Sequence, residues 1–190
     1  MDSQIIYLAL AVLAFGLALN LKLTMSVLRT TRLERDVPDM LPPGVSVPLV
    51  TAHTLIDRRQ VPLVGNGQAS VLLFLSSKCP KCRTKLAELE QMVPAAQEAG
   101  LALWLVSEES AWRLRRFVLG TALLSRVVRV NLKDYKALNA NLMSPGYLFV
   151  NHEGVLEAIG LIGDENWLAL RAQLNPDANQ DNTQDNTSQE

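Results

Sequence analysis

"FLSSKCPKCRTKLAEL" (residues 74–89) holds both cysteines of the chain, Cys79 and Cys82, with only Pro80 and Lys81 between them. "SVLLFLS" (70–76) leads into the pair as a continuous apolar run of strand length, the pattern of a central strand covered on both faces. Beyond the pair, Leu86, Leu89, Met92 and Val93 recur at helical spacing, with Pro94 as a kink and Gly100 as the stop. Cys79 therefore follows a strand and opens a helix. At a helix start, free N–H groups and the positive end of the dipole favour a thiolate. Lys78 and Lys81 add positive charge beside it. Cys82, in the first turn, is near enough to attack a mixed disulfide formed at Cys79.

Two cysteines so close can also clip a metal or staple a loop. A structural zinc takes about four ligands. The remaining candidates, His53 and His152, are not at ligand spacing, so no resident metal is expected unless a site is transient or shared by two copies. A staple closing so small a loop restricts the unfolded chain little, and a chain of 190 residues can bury a core without one. The Lys-Pro-Lys setting argues against inert buried thiols. A C-x-x-C at a strand-to-helix junction points to reversible thiol chemistry. No cofactor is called for.

Working outward, the pattern alternates over residues 46–174. "LALWLV" (101–106) is a second buried strand, and "SAWRLRRFVLG" (110–120) is helical with Ser110 as its cap. "RVVRV" (126–130) is a short strand and "KDYKALNANL" (133–142) a short helix. "GYLFVN" and "VLEAIG" are strands joined by "HEG" (152–154), where Gly154 supplies positive φ. "DENWLALRAQL" closes as a helix capped by Asp164. The order β-α-β-α-β-α-β-β-α predicts an α/β domain, a mixed sheet flanked by helices. In "NLMSPGYLFV" (141–150), Ser144-Pro145 stands immediately before a strand, a place that suits proline. That X-Pro bond is open to either isomer.

The two ends read differently. Residues 5–19, "IIYLALAVLAFGLAL", are uninterruptedly apolar, and the apolar character continues past Lys22 to about Leu28. With Lys22 snorkelling, a helix over 1–28 reaches across the hydrocarbon of a bilayer. No basic segment precedes the run and no Ala-x-Ala-like site follows it, so an uncleaved anchor is expected rather than a signal peptide. The stretch at 29–45, with Pro38, Pro42 and Pro43, reads as a semi-extended spacer. Residues 175–190, "NPDANQDNTQDNTSQE", read as a disordered polar tail. With 18 basic against 19 acidic residues and few aromatics, nothing points to nucleic acid.

Together, the strand, "CPKC" on a helix start and "SP" before the last hairpin resemble the thioredoxin superfamily. With the anchor, "LVSEESAWRLRRFV" and "PGYLFVNHEGVLEAIGLI", the chain most resembles its membrane-anchored TlpA/MauD-like branch. That resemblance implies a thioredoxin-like fold with Cys79 as attacking thiolate, Cys82 as resolving thiol and Pro145 as a cis-proline beside them. It also implies that Ser144 presents backbone groups to a substrate strand. The implied activity is thiol–disulfide exchange with protein substrates, with a recycling partner, possible service to a methylamine dehydrogenase-like protein, and a domain in the periplasm. Thioredoxins proper carry a Trp before the first cysteine and a buried acid six residues before it; Lys78 and Leu73 stand there. The usual proton acceptor for Cys82 is thus missing, and the lysines favour a more oxidising disulfide.

Two rival readings stay open. A thiol peroxidase would use Cys79 on peroxide, with Ser76 in the place of the peroxiredoxin T/S-x-x-C residue and Arg126 or Arg129 as its arginine; Leu72 stands where that family has a proline. A non-catalytic tether would bind Cu(I) through the two thiolates. Topology also divides. Lys22, Arg29, Arg32 and Arg35 follow the apolar run and none precedes it, which by the positive-inside rule puts the domain in the cytoplasm. Membrane-tethered disulfide chemistry belongs where disulfides persist, and the expectation is therefore an inner-membrane protein facing the periplasm.

Overall fold

Alternation along one strand shows how the core is divided. In β3 (Ser70–Phe74), Val71 and Leu73 enter one apolar cluster while Leu72 and Phe74 enter another, and all are buried. Successive side chains of a strand point to opposite faces, so an uninterrupted apolar strand needs cover on both. α1 (Pro80–Glu98), α2 (Ala111–Phe117) and α4 (Glu165–Leu174) supply it on one face through Leu86, Leu89, Met92, Leu114, Phe117 and Trp167. α3 (Leu132–Leu138) supplies it on the other through Tyr135 and Leu138. These elements belong to a computed structural model, which describes residues 41–174 and, before them, residues 7, 13, 15–17 and 19–22.

The remaining strands are β1 (Thr51–Thr54), β2 (Gln60–Pro62), β4 (Ala102–Ser107), β5 (Val127–Arg129), β6 (Gly146–Val150) and β7 (Leu156–Leu161). They form one sheet in the order β2-β1-β5-β4-β3-β6-β7. β3, β4 and β5 are parallel, and the other pairings are antiparallel. The expected mixed sheet flanked by helices is therefore present. β1 and β2 are additions to the expected order, as is a 3-10 turn over Ala122–Arg126. Both strands are short, and β2 ends at Pro62, which can donate nothing to a further partner and suits an edge.

Local signals behave as their chemistry requires, with one exception. α1 contains Pro94 and ends before Gly100, whose φ of 68° fits a residue without a Cβ. Asp164 accepts from the Trp167 amide at 2.8 Å, capping α4. Ser110 occupies the N-cap of α2, yet its side chain makes no capping bond. The start of the domain lies further back than residue 46. The Gly44 amide donates to the Leu156 carbonyl at 2.7 Å, and the Leu156 amide to Val45 at 2.9 Å, so the last spacer residues run along β7.

Among the described residues no helix is long and apolar enough to cross a membrane. Most of the expected anchor (1–28) and spacer (29–45), and all of the tail (175–190), lie outside the described residues.

Candidate active site

Three parallel strands ending at one rim leave their connections there, and the first of these connections carries the cysteines. Cys79 is the N-cap of α1, with extended backbone, and Pro80 takes the first helical position, where a missing N–H costs nothing. Its sulfur does what a capping oxygen does elsewhere: the Cys82 amide donates to Cys79 Sγ at 3.3 Å. No acidic side chain sits in the first turn to oppose a negative charge. Cys79 is half-buried and Cys82 fully buried, and both are free thiols.

The Ser144-Pro145 bond is cis and brings Ser144 against the pair. Cys79 Sγ lies 3.7 Å from the Ser144 carbonyl, and Cys82 Sγ lies 3.0 Å from Ser144 Oγ. Burial pushes the Cys79 thiol up, but hydrogen bonds from Cys82, from the Cys82 and Lys81 amides and from Ser144 outweigh it, and the net shift is downward. Burial and the bond to Cys79 together raise Cys82 above an ordinary thiol. The pair is thus divided into a partly exposed, acidic thiol and a buried, reluctant one. Lys81 acts through its amide, and Lys78 and Lys81 are both exposed.

Three comparisons bear on this arrangement. The AhpC/TSA family model matches residues 46–159. The chain belongs to the AhpC/TSA family. Among solved structures, the thioredoxin domain of a thiol-disulfide oxidoreductase from Bacteroides vulgatus is 20% identical with a TM-score of 0.59, over 71% of this chain and 99% of that one. A thiol:disulfide interchange protein from a Bacteroides species is 19% identical with a TM-score of 0.59, over 72% and 92%. A peroxiredoxin-like protein from Aquifex aeolicus is 16% identical with a TM-score of 0.58, over 74% and 90%. Likeness at this level shows a shared thioredoxin-like fold. No curated protein matches the chain.

In this AhpC/TSA family member the loop before Cys79 is held by a residue that no sequence pattern assigns a role. Glu109, just beyond β4, accepts from the Ser76 hydroxyl at 3.0 Å, the Ser77 amide at 2.9 Å and the Ser77 hydroxyl. Burial raises its carboxyl, but the bonds from Ser77 and Ser76 and the nearby Arg113 charge lower it overall. Its sequence signal is a pair of acids after a buried strand, in "VSEES", of which Glu109 is the second. Glu109→Ala is expected to lose about 1–2 kcal/mol of stability at neutral pH, measured by urea unfolding. A lowered carboxyl pKa stabilises above the unfolded value of about 4.3 and loses its effect as pH falls through the folded value, so the difference between variant and parent should vanish in acid.

Asn139 performs the matching task on the Ser144 side. Buried at the end of α3, it donates to the Met143 carbonyl at 3.0 Å and accepts from the Met143 amide at 2.8 Å. It closes that loop one residue before Ser144. Leu73, at the position of the absent acid, is buried and paired across the sheet with Tyr147, and the hydroxyl that meets the Cys82 thiol is that of Ser144. The two arginines open to a peroxidase role are engaged elsewhere. Arg126 donates to Gln97 at 2.7 Å, and Arg129 Nε to the Glu109 carbonyl at 2.9 Å. Arg83 instead lines the open hollow beside Cys79, with Ser77, Lys78, Pro80 and Thr84.

Proposed function

We propose that this protein is a membrane-tethered thiol–disulfide oxidoreductase whose Cys79–Cys82 pair exchanges disulfides with protein substrates. The observation that carries the reading is the N-cap position of Cys79, where a lowered thiol pKa and partial solvent access coincide, with a buried second thiol one turn behind. In oxidised form, a substrate thiolate attacks Cys79 Sγ, the Cys79–Cys82 bond breaks, and Cys82 leaves and takes up a proton beside Ser144 Oγ. The substrate's second thiolate then attacks the substrate sulfur of the mixed disulfide and expels Cys79 as thiolate. The substrate loses two electrons and the protein gains two. A thiol of low pKa leaves faster, so a depressed Cys79 favours this oxidising direction, and a separate redox partner must then reoxidise the pair. The same steps reversed reduce a substrate disulfide.

The Ser144 carbonyl, beside Cys79, supplies a main-chain acceptor for an extended substrate segment. The apolar N-terminal run supports an inner-membrane anchor, and the chemistry supports a periplasmic domain that serves maturation of a disulfide-containing protein there, of the methylamine dehydrogenase kind. AhpC/TSA membership favours a second reading, thiol peroxidase activity at Cys79.

One experiment separates the two. Cells carrying full-length Cys82→Ser should accumulate mixed disulfides between Cys79 and exported proteins, while the purified parent leaves hydrogen peroxide largely unconsumed. Rapid peroxide turnover with no trapped protein would replace exchange with peroxidase activity. Alkaline phosphatase fused after residue 174 should be active if the domain faces the periplasm; an inactive fusion would place it in the cytoplasm.

A further inference from the structure

We propose that a basic cavity on the same sheet rim, away from the cysteines, binds a small molecule bearing carboxylate or phosphate groups. The cavity, about 570 Å³, lies where β5 ends and α2 begins, beside the antiparallel strand β1, and its charged or ionisable lining consists of His53, Arg58, Arg115 and Arg129. That size is within the range of small-molecule sites, and the carboxyl ends of parallel strands are where open α/β sheets take their ligands. No acidic residue lines it.

The basic groups are arranged rather than scattered. His53 and Arg129 are direct cross-strand partners, which places them on one face of the sheet. Arg115 Nη2 donates to the Leu55 carbonyl at 2.9 Å, and Arg129 Nε donates to the Glu109 carbonyl at 2.9 Å. Each guanidinium is thereby fixed by one main-chain bond. A guanidinium has five N–H donors, so both keep donors for a ligand, and part of the ordering cost of binding is already met. Of the acids on the neighbouring connections, Glu109 is bonded to Ser76 and Ser77, Asp57 to Thr54 and Arg59, and Asp134 to Asn131, and Glu108 does not line the cavity. Three arginines around one cavity repel one another, and an oxyanion between them removes that repulsion while accepting the planar, paired bonds that guanidinium offers. The inference rests on the cavity alone and does not depend on the thiol chemistry.

Two histidines make the test local, since His53 lines the cavity and exposed His152 lies in the β6–β7 hairpin. Full-length protein in non-ionic detergent is titrated with inorganic phosphate and, separately, with succinate at constant ionic strength, following the imidazole resonances. At least one anion should shift His53 saturably in the millimolar range or below and leave His152 unmoved. Saturation by phosphate alone assigns a phosphate-bearing ligand, and by succinate alone a carboxylate. Arg58→Gln/Arg115→Gln should weaken binding about tenfold or more. If the double variant does not fold, Arg58→Gln, in an exposed turn, should still weaken it severalfold. Absence of saturable binding by either anion, equal movement of both histidines, or unchanged affinity in a folded variant would overturn the proposal.

Discussion

Cys79→Ser is expected to abolish disulfide exchange, lowering its rate by at least about three orders of magnitude, because no other group can take its place. Cys82 is fully buried beneath the helix start and its thiol is raised, so it neither reaches a substrate nor ionises readily. Serine at position 79 has a hydroxyl that stays protonated, yet it is among the best N-cap residues and should hold α1 in place. The variant should therefore unfold at an unchanged urea midpoint while exchange with a reduced or scrambled model protein is lost. Cys82→Ser should differ in kind, retaining attack at Cys79 and failing at release. If Cys79→Ser kept a tenth of the parent rate, the division of roles between the cysteines would be wrong.

The largest effect on stability is expected from Trp167→Ala. Trp167 is 0% exposed and joins α4 to α1 across the core. Its indole Nε1 donates to Glu88 Oε1 at 2.9 Å, and its ring lies 5.3 Å from that of Tyr147. Truncation removes a large apolar side chain, costing about 3–5 kcal/mol, and strips a partly buried carboxylate of one donor. Glu88 would keep Lys85 at 2.8 Å and Arg171 at 3.5 Å, which limits the second loss. Trp167→Phe restores most of the packing without the bond and should cost about 1–2 kcal/mol. Urea unfolding of both variants checks this, and a loss below about 1 kcal/mol for the alanine variant would contradict the role given to this contact.

What could be read in advance was whatever has a local cause. The uninterrupted apolar run of β3, the helical spacing after Cys82, the cap at Asp164 and the hairpin glycine Gly154 each carry their signal within a few residues, and each is found in place. β1 and β2 were not legible: "TAHT" and "QVP" are short and half-polar; β1 is a strand because β5 offers an edge to pair with, and β2 because β1 then offers another. The same limit applied at the site. Cys79 and Cys82 announce themselves by spacing, and Ser144-Pro145 by its place before a strand. Glu109 and Asn139 act on residues 32 and 4 positions away through loops whose folding no pattern records. The contribution of Lys81 was legible as a charge but operates through its amide, a group that every residue except proline carries.

Division of the cysteine pair into a partly exposed, acidic Cys79 and a buried, reluctant Cys82 is tested most directly by alkylation. The reduced full-length protein is treated briefly with iodoacetamide across a pH series, and each cysteine is quantified by mass spectrometry. Modification should occur at Cys79 first at every pH, with its rate half-maximal below the ordinary thiol value of about 8.5. Cys82 should react only at higher pH or on unfolding. Modification of Cys82 first, or of both together near the ordinary value, would contradict the account.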